Sequence, residues 1–117
     1  MRAVRVLEAA ASEAVEAAAW YEARRRGLGA DFRAEFKLVL DRLREGILPG
    51  TPWPGRIGER GVKRLPMKRF PFFVVFVPTG EYVVVLALAH HRRKPNYWRD
   101  RLDVPAPSGT VARGQPK

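Results

Sequence analysis

Two apolar runs separated by a four-residue turn constrain this chain more than any other feature. Phe72 to Val77 reads FFVVFV, and Tyr82 to Ala89 reads YVVVLALA, with Pro78-Thr79-Gly80-Glu81 between them. β-branched and aromatic residues bounded by Pro and Gly form strands, and the turn folds the second run back on the first. Runs without alternation belong to central strands covered on both faces. Both faces of such a pair therefore need a cover, and neighbouring strands must flank it.

The preceding segments are read on the same terms. Arg2 to Leu7 alternates, with Val4 and Val6 on one side and Arg5 on the other, and is a short strand. Glu8 to Arg26 lacks Pro and Gly and is rich in Ala, the best helix former. Its apolar stripe is Ala11, Ala14, Val15, Ala18 and Tyr21. Early acids (Glu8, Glu13, Glu16) and late bases (Arg24 to Arg26) suit the helix dipole, and Gly27 is the stop. Asp31 is expected to cap a second helix to about Glu45. Its stripe is Phe32, Phe36, Val39, Leu40, Leu43 and Ile47. The short link 27–30 makes the pair an antiparallel hairpin.

Pro49 to Gly58 is rich in Pro and Gly and reads as a loop, with Trp53 as a lid on the core edge. Gly61 to Met67 is a strand whose Pro66 marks an edge or a bulge. Lys68 to Pro71 turns the chain. A short helix follows Pro95 to about Leu102. Residues 104–117 have the composition of a disordered tail. The order is β-α-α-β-β-β with a short C-terminal helix: an α+β fold with an antiparallel sheet on a helical hairpin. Residues 1–103 form a single domain. The hairpin covers one sheet face, and a partner is expected to fill the other.

There is no cysteine, which excludes disulfides and thiolate metal sites. The longest apolar run is too short to span a bilayer, so the expectation is a cytoplasmic protein without membrane contact. The net charge is +10 and uneven. Residues 1–45 hold nine basic and eight acidic side chains, whereas 46–117 hold thirteen and four. A one-sided positive field attracts anionic partners.

His90 and His91 are the only histidines. Neighbours on a strand point to opposite faces and do not chelate one ion together, so no metal and no cofactor is expected. No serine nucleophile motif, phosphate loop or dinucleotide fingerprint occurs. What remains is cationic and aromatic. Lys63, Arg64, Lys68 and Arg69 lie around the strand before FFVVFV. Arg92, Arg93 and Lys94 follow the last strand, with Tyr97 and Trp98 beside them. Antiparallel topology should bring both clusters to one edge of the sheet as a single patch. Tyr97 and Trp98 could stack on bases, although Trp98 also suits a core anchor.

Three stretches carry a family resemblance: WYEARRRGLGADF at 20–32, RFPFFVVF at 69–76 and VLALAHHRRKPNYW at 85–98. In order and spacing they resemble the RelE/ParE toxins of type II toxin–antitoxin (plasmid stabilisation) modules. The resemblance implies the fold derived above and a cognate antitoxin. The RelE-like branch cleaves mRNA in the ribosome with a set of cations and an aromatic. Its two basic positions on one strand fall here at Arg64 and Pro66, and an arginine in the next strand falls at Phe73. An arginine after the last strand is kept at Arg92, and the aromatic falls at Tyr97 or Trp98. If the protein were a ribonuclease, its residues would be Arg64, Arg92 and Tyr97. Half the set is missing, and phosphate transition states need converging cations. The ParE-like branch, which inhibits DNA gyrase by binding, is the closer match through FPF and RRKPNYW. The resemblance therefore implies an antitoxin and gyrase as partners, with ribosome and mRNA as the alternative. A plain basic nucleic-acid-binding domain is the third reading, and a homodimer is left open.

Overall fold

A computed structural model describes residues 2–46 and 50–103. The expected tail (104–117), Ile47 on the second stripe and Pro49 of the loop lie outside the described residues. The elements run β1 (Ala3–Val6), α1 (Glu8–Arg24), α2 (Leu28–Glu45), β2 (Thr51–Pro52), α3 (Arg56–Glu59), β3 (Lys63–Pro66), β4 (Phe72–Thr79), β5 (Tyr82–His90) and a 3₁₀ turn (Arg99–Asp103).

The five strands form one sheet in the order β1-β5-β4-β3-β2. Pairing is antiparallel from β2 to β5, and β1 joins β5 in parallel. The α+β architecture is the expected one, with a parallel strand added at one edge. The loop expected over 49–58 contains β2, which pairs two residues of β3, and the single turn α3. Pro66 pairs with Phe73 beyond the reach of β2. Among the described residues no strand pairs with Pro66 on that side, so its missing N–H leaves no ladder bond unmade.

The helical hairpin closes differently from the expectation. α1 ends at Arg24, and α2 begins three residues before Asp31. Gly27, with φ 90°, precedes the first turn of α2 instead of stopping α1. The cause is Glu22. Its carboxylate accepts the backbone N–H groups of Gly27 (3.0 and 3.1 Å) and Gly29 (3.0 Å). A side chain from α1 thus satisfies the unpaired amides at the start of α2. Asp31 lies inside the first turn, its own N–H donating to Gly27 O at 3.1 Å.

The stripe on α2 is as expected: Phe32, Val39 and Leu43 are buried, with Phe36 and Leu40 half-buried. The stripe on α1 is rotated. Ala10, Ala14, Ala17 and Ala18 face inward, while Ala11 is exposed and Val15 is 67% exposed. On an alanine-rich helix many faces look alike. The one against α2 wins because small side chains let the helices approach closely. A Cβ on Gly29 would stand 2.6 Å from the carbonyl oxygen of Ala18.

The sheet is covered on both faces by its own chain, so the expected gap for a partner is absent from the described structure. Val74, Phe76, Val83, Val85 and Leu88 face the hairpin. Val75, Leu86, Ala87 and Ala89 face the other way, under Trp53, Ile57, Val62 and Trp98. A bulge reconciles β5 with both covers. Val75 pairs with Ala87, but Phe76 pairs with Val85, so Leu86 is extra. Leu86 and Ala87 therefore both point to the second face, and alternation resumes one residue later. Trp53 is the lid expected, meeting Trp98 edge to face at 5.0 Å.

Candidate functional site

At the end of the sheet where β4 starts and β5 stops, two turns lie side by side. Phe72 pairs with His90, and His91 N–H donates to Pro71 O at 2.8 Å. The backbones of the two cationic clusters meet there, as the topology requires. Their side chains do not form one patch.

Cross-strand register sorts them. Lys63 pairs with Phe76 and shares its hairpin-facing side, whereas Arg64 pairs with Val75 and faces the other way. Lys68 and Arg69 turn toward α2. Glu35 accepts the backbone N–H groups of both Lys68 and Arg69, and Asp31 pairs with the Arg69 guanidinium at 3.3 Å. Asp31, the expected cap, is free for this because Glu22 accepts the amides at the start of α2. The expected single patch is therefore divided by the sheet itself.

On the face away from the hairpin, a hollow of about 170 Å³ is lined by Arg64, His91, Arg93, Lys94, Tyr97 and the rings of Trp53, Phe73 and Trp98. Arg64 stacks on Phe73 and Trp53, its guanidinium carbon 4.8 and 5.2 Å from the ring centres. His91 lies on Phe73 at 4.1 Å. Flat cations on rings keep their charge presented while their carbon faces are covered. Arg92 is exposed and outside this lining; its backbone N–H donates to His90 Nδ1 at 3.0 Å. Trp98 is 0% exposed, so it anchors the core and has no face left for a ligand to stack on.

Tyr97 is held from several sides. Its hydroxyl donates to Glu13 Oε2 at 2.7 Å, and the guanidinium of Arg93 covers its ring at 3.6 Å. Burial, and then the hydrogen bond to the Glu13 carboxylate, push its phenol well above the ordinary tyrosine range. Glu13 also accepts Leu88 N–H at 2.9 Å and both terminal nitrogens of Arg101, each at 3.1 Å. Arg101 reaches Leu86 O at 2.8 Å as well. Burial works against the charge of Arg101, and the Glu13 carboxylate outweighs it, so the guanidinium is held above its ordinary value. These contacts line the part of β5 that β1 leaves unpaired, since β1 stops opposite Val85. Side chains there replace a missing strand.

By sequence alone Glu13 is only an early acid on α1. The signal for more was its spacing. Glu13 lies three residues after Ala10 and four before Ala17, on the side that the hairpin buries. An acid on an apolar stripe needs a buried partner.

On the hairpin side are two apolar grooves. One, about 550 Å³, runs between α1 and the adjoining ends of β4 and β5, past Ala17, Trp20, Tyr21, Phe72 and Leu88 to His90 and Arg93. The other, about 360 Å³, runs between α2 and β3 past Leu38, Val39, Leu65 and Pro66. Trp20 is 53% exposed and stacks on Arg24 at 3.6 Å. Among the described residues no group of three or more His, Asp or Glu could hold a metal ion, and no helix is long and apolar enough to cross a membrane.

No protein family and no curated protein matches the sequence. Among solved structures, the chain superposes on one from the chromosomal ParDE toxin–antitoxin system of P. aeruginosa, with a TM-score of 0.65. The two are 17% identical, and the match covers 77% of this chain and 96% of the other. The fold is RelE/ParE toxin-like. At that identity the likeness concerns the backbone. The divided cations, the contacts of Tyr97 and the grooves beside the hairpin are read from this chain alone.

Proposed function

We propose that this chain is the toxin of a type II toxin–antitoxin module, of the ParE-like kind, and that it acts by binding DNA gyrase. The fold supports a toxin of this class. The state of Tyr97 carries the choice of binding over chemistry. Its hydroxyl is committed to Glu13 and its ring is covered by Arg93. A phenol with a raised pKa, held in its protonated form as a donor to a carboxylate, is a poor general base. Pro66 and Phe73 stand where the ribonuclease branch has cations, and Arg92 lies apart from Arg64 and Tyr97. The hollow therefore gathers Arg64, Arg93 and Lys94 as a cationic, ring-backed contact surface. Such a surface suits an acidic patch on a protein target.

A cognate antitoxin docks, in this reading, on the hairpin side. The second sheet face is occupied by Trp53 and Trp98, so the apolar grooves take its apolar side chains, and an acidic residue meets His90 and Arg93 at the groove's end.

Induction of the toxin alone in a bacterial host should halt growth and raise a DNA-damage response. Purified protein should inhibit gyrase supercoiling at micromolar concentration. Unaffected gyrase would remove the target. New mRNA 5′ ends on stalled ribosomes would favour the ribonuclease reading, with Arg64, Arg92 and Tyr97 as its residues. Binding to nucleic acid alone, steeply weakened by salt, would favour the basic-domain reading.

A further inference from the structure

The Glu13 carboxylate is 11% exposed and sits where three cationic or aromatic side chains converge. Arg101 takes both of its oxygens, Tyr97 donates to Oε2, and Leu88 N–H donates to Oε1. Arg93 is different. It is 54% exposed, its guanidinium stands 3.5 Å from Oε2 and lies over the Tyr97 ring, and its backbone N–H donates to His90 O at 3.0 Å. It also borders two surfaces at once, the cationic hollow and the apolar groove beside α1. A long exposed arginine has many rotamers and loses several on being held. What selects one rotamer here is a buried charge on another element.

We propose that Glu13 is the positioning residue of the Arg93–Tyr97 face. Its carboxylate orients the phenol through the hydroxyl and draws Arg93 across the ring. The face thus presents one stacked guanidinium in a set place instead of a mobile cation. The proposal deepens the reading of this face as the target-binding surface, and it rests on that reading for its functional consequence. Its structural content is independent of any target.

The test separates the two. Glu13→Gln keeps the length of the side chain and an acceptor for Leu88 N–H while removing the charge. Glu16→Gln, on the exposed side of the same helix, is the control. In the free wild-type protein, the δ-protons of Arg93 should resonate upfield, since its guanidinium carbon stands 3.6 Å from the Tyr97 ring centre and the δ-carbon is two bonds away. That shift should be lost in Glu13→Gln and kept in Glu16→Gln; retention in Glu13→Gln overturns the proposal. In the gyrase assay, Glu13→Gln should weaken inhibition roughly tenfold, as expected for a displaced interface charge. In an Arg93→Ala background the same change should cause no further loss. Additive losses would mean that Glu13 acts only on stability, and would overturn the proposal. If wild-type protein leaves gyrase untouched, the target reading fails, and the proton shift still decides the positioning. Should Glu13→Gln not fold, Tyr97→Phe gives the second measurement. It keeps the carboxylate that draws Arg93 but frees the ring from it, so the Arg93 shift should shrink without vanishing; an unchanged shift would show that the carboxylate does not orient the ring, complete loss would show that it does not hold Arg93, and either overturns the proposal.

Discussion

Glu13 and Arg101 form a two-point ion pair, each carboxylate oxygen 3.1 Å from one guanidinium nitrogen, across the free part of β5's edge. They are 88 residues apart in sequence. The pair ties the C-terminal segment to the first helix, and both side chains are largely buried. Removing one partner leaves the other charge uncompensated. Arg101→Ala should cost about 3 kcal/mol in urea unfolding. Arg101→Lys, which cannot fork onto both oxygens, should fall between.

Gly29 has no room for a side chain. An added Cβ would meet Ala18 O at 2.6 Å and the Glu22 side chain at 3.0 Å. Gly29→Ala should therefore lower stability by about 2 kcal/mol, despite alanine's better helix propensity. At an open helical position the same substitution would stabilise, so the sign of the change in melting temperature checks the close approach.

Glu22 gives the hairpin an acid limit. Hydrogen bonds from Gly27 and Gly29 hold its carboxyl below the usual range. A depressed carboxyl pKa contributes stability above its unfolded value, and the contribution is lost as pH falls through the folded value. The wild-type advantage over Glu22→Gln in melting temperature should be constant near neutrality. It should shrink below a pH of about 4.

Tyr97 should be silent in alkaline titration. Its phenol is raised by burial and by its bond to Glu13. Tyr97→Phe should leave the 295 nm absorbance gained up to a pH of about 11 unchanged. For a raised pKa, stability is full below the unfolded value of about 10 and declines above it. Wild type should lose more stability than Tyr97→Phe in that alkaline window.

The divided cations predict divided effects. Arg64→Ala and Lys94→Ala, on the hollow, should each weaken target inhibition several-fold with little change in melting temperature. Lys68→Ala should do much less, since its turn faces α2 and is held through its backbone by Glu35. Equal losses from both groups would argue for one continuous patch after all.

How much of this was legible depended on contrast in the sequence. The stripe on α2 could be read because large apolar residues stand out among charged ones. On α1, Ala11 and Ala14 look alike, and only the partner helix chooses between them. Arg64 and Tyr97 line one hollow; alternation along β3 sets the face of Arg64, whereas Tyr97 lies on a turn that no register fixes. Lys68 and Arg69 were grouped with them because topology locates backbones, whereas the acids that turn these two toward α2 lie more than thirty residues earlier. The bulge at Leu86 left no mark in a run that is apolar throughout.

A resemblance implied the RelE/ParE-like architecture, and the sequence by itself determined the two long helices, the central β4–β5 hairpin and the end of the sheet where the two cationic turns lie. These depend on local periodicity, turn chemistry and the pairing that a short turn imposes. Only the tertiary structure decided on which face each cation lies, that Trp53 and Trp98 close the second face, and that Glu13 meets Tyr97, Arg93 and Arg101. Those outcomes depend on where a buried charge finds its partners. Such a partner can lie anywhere along the chain, and no local pattern encodes that distance.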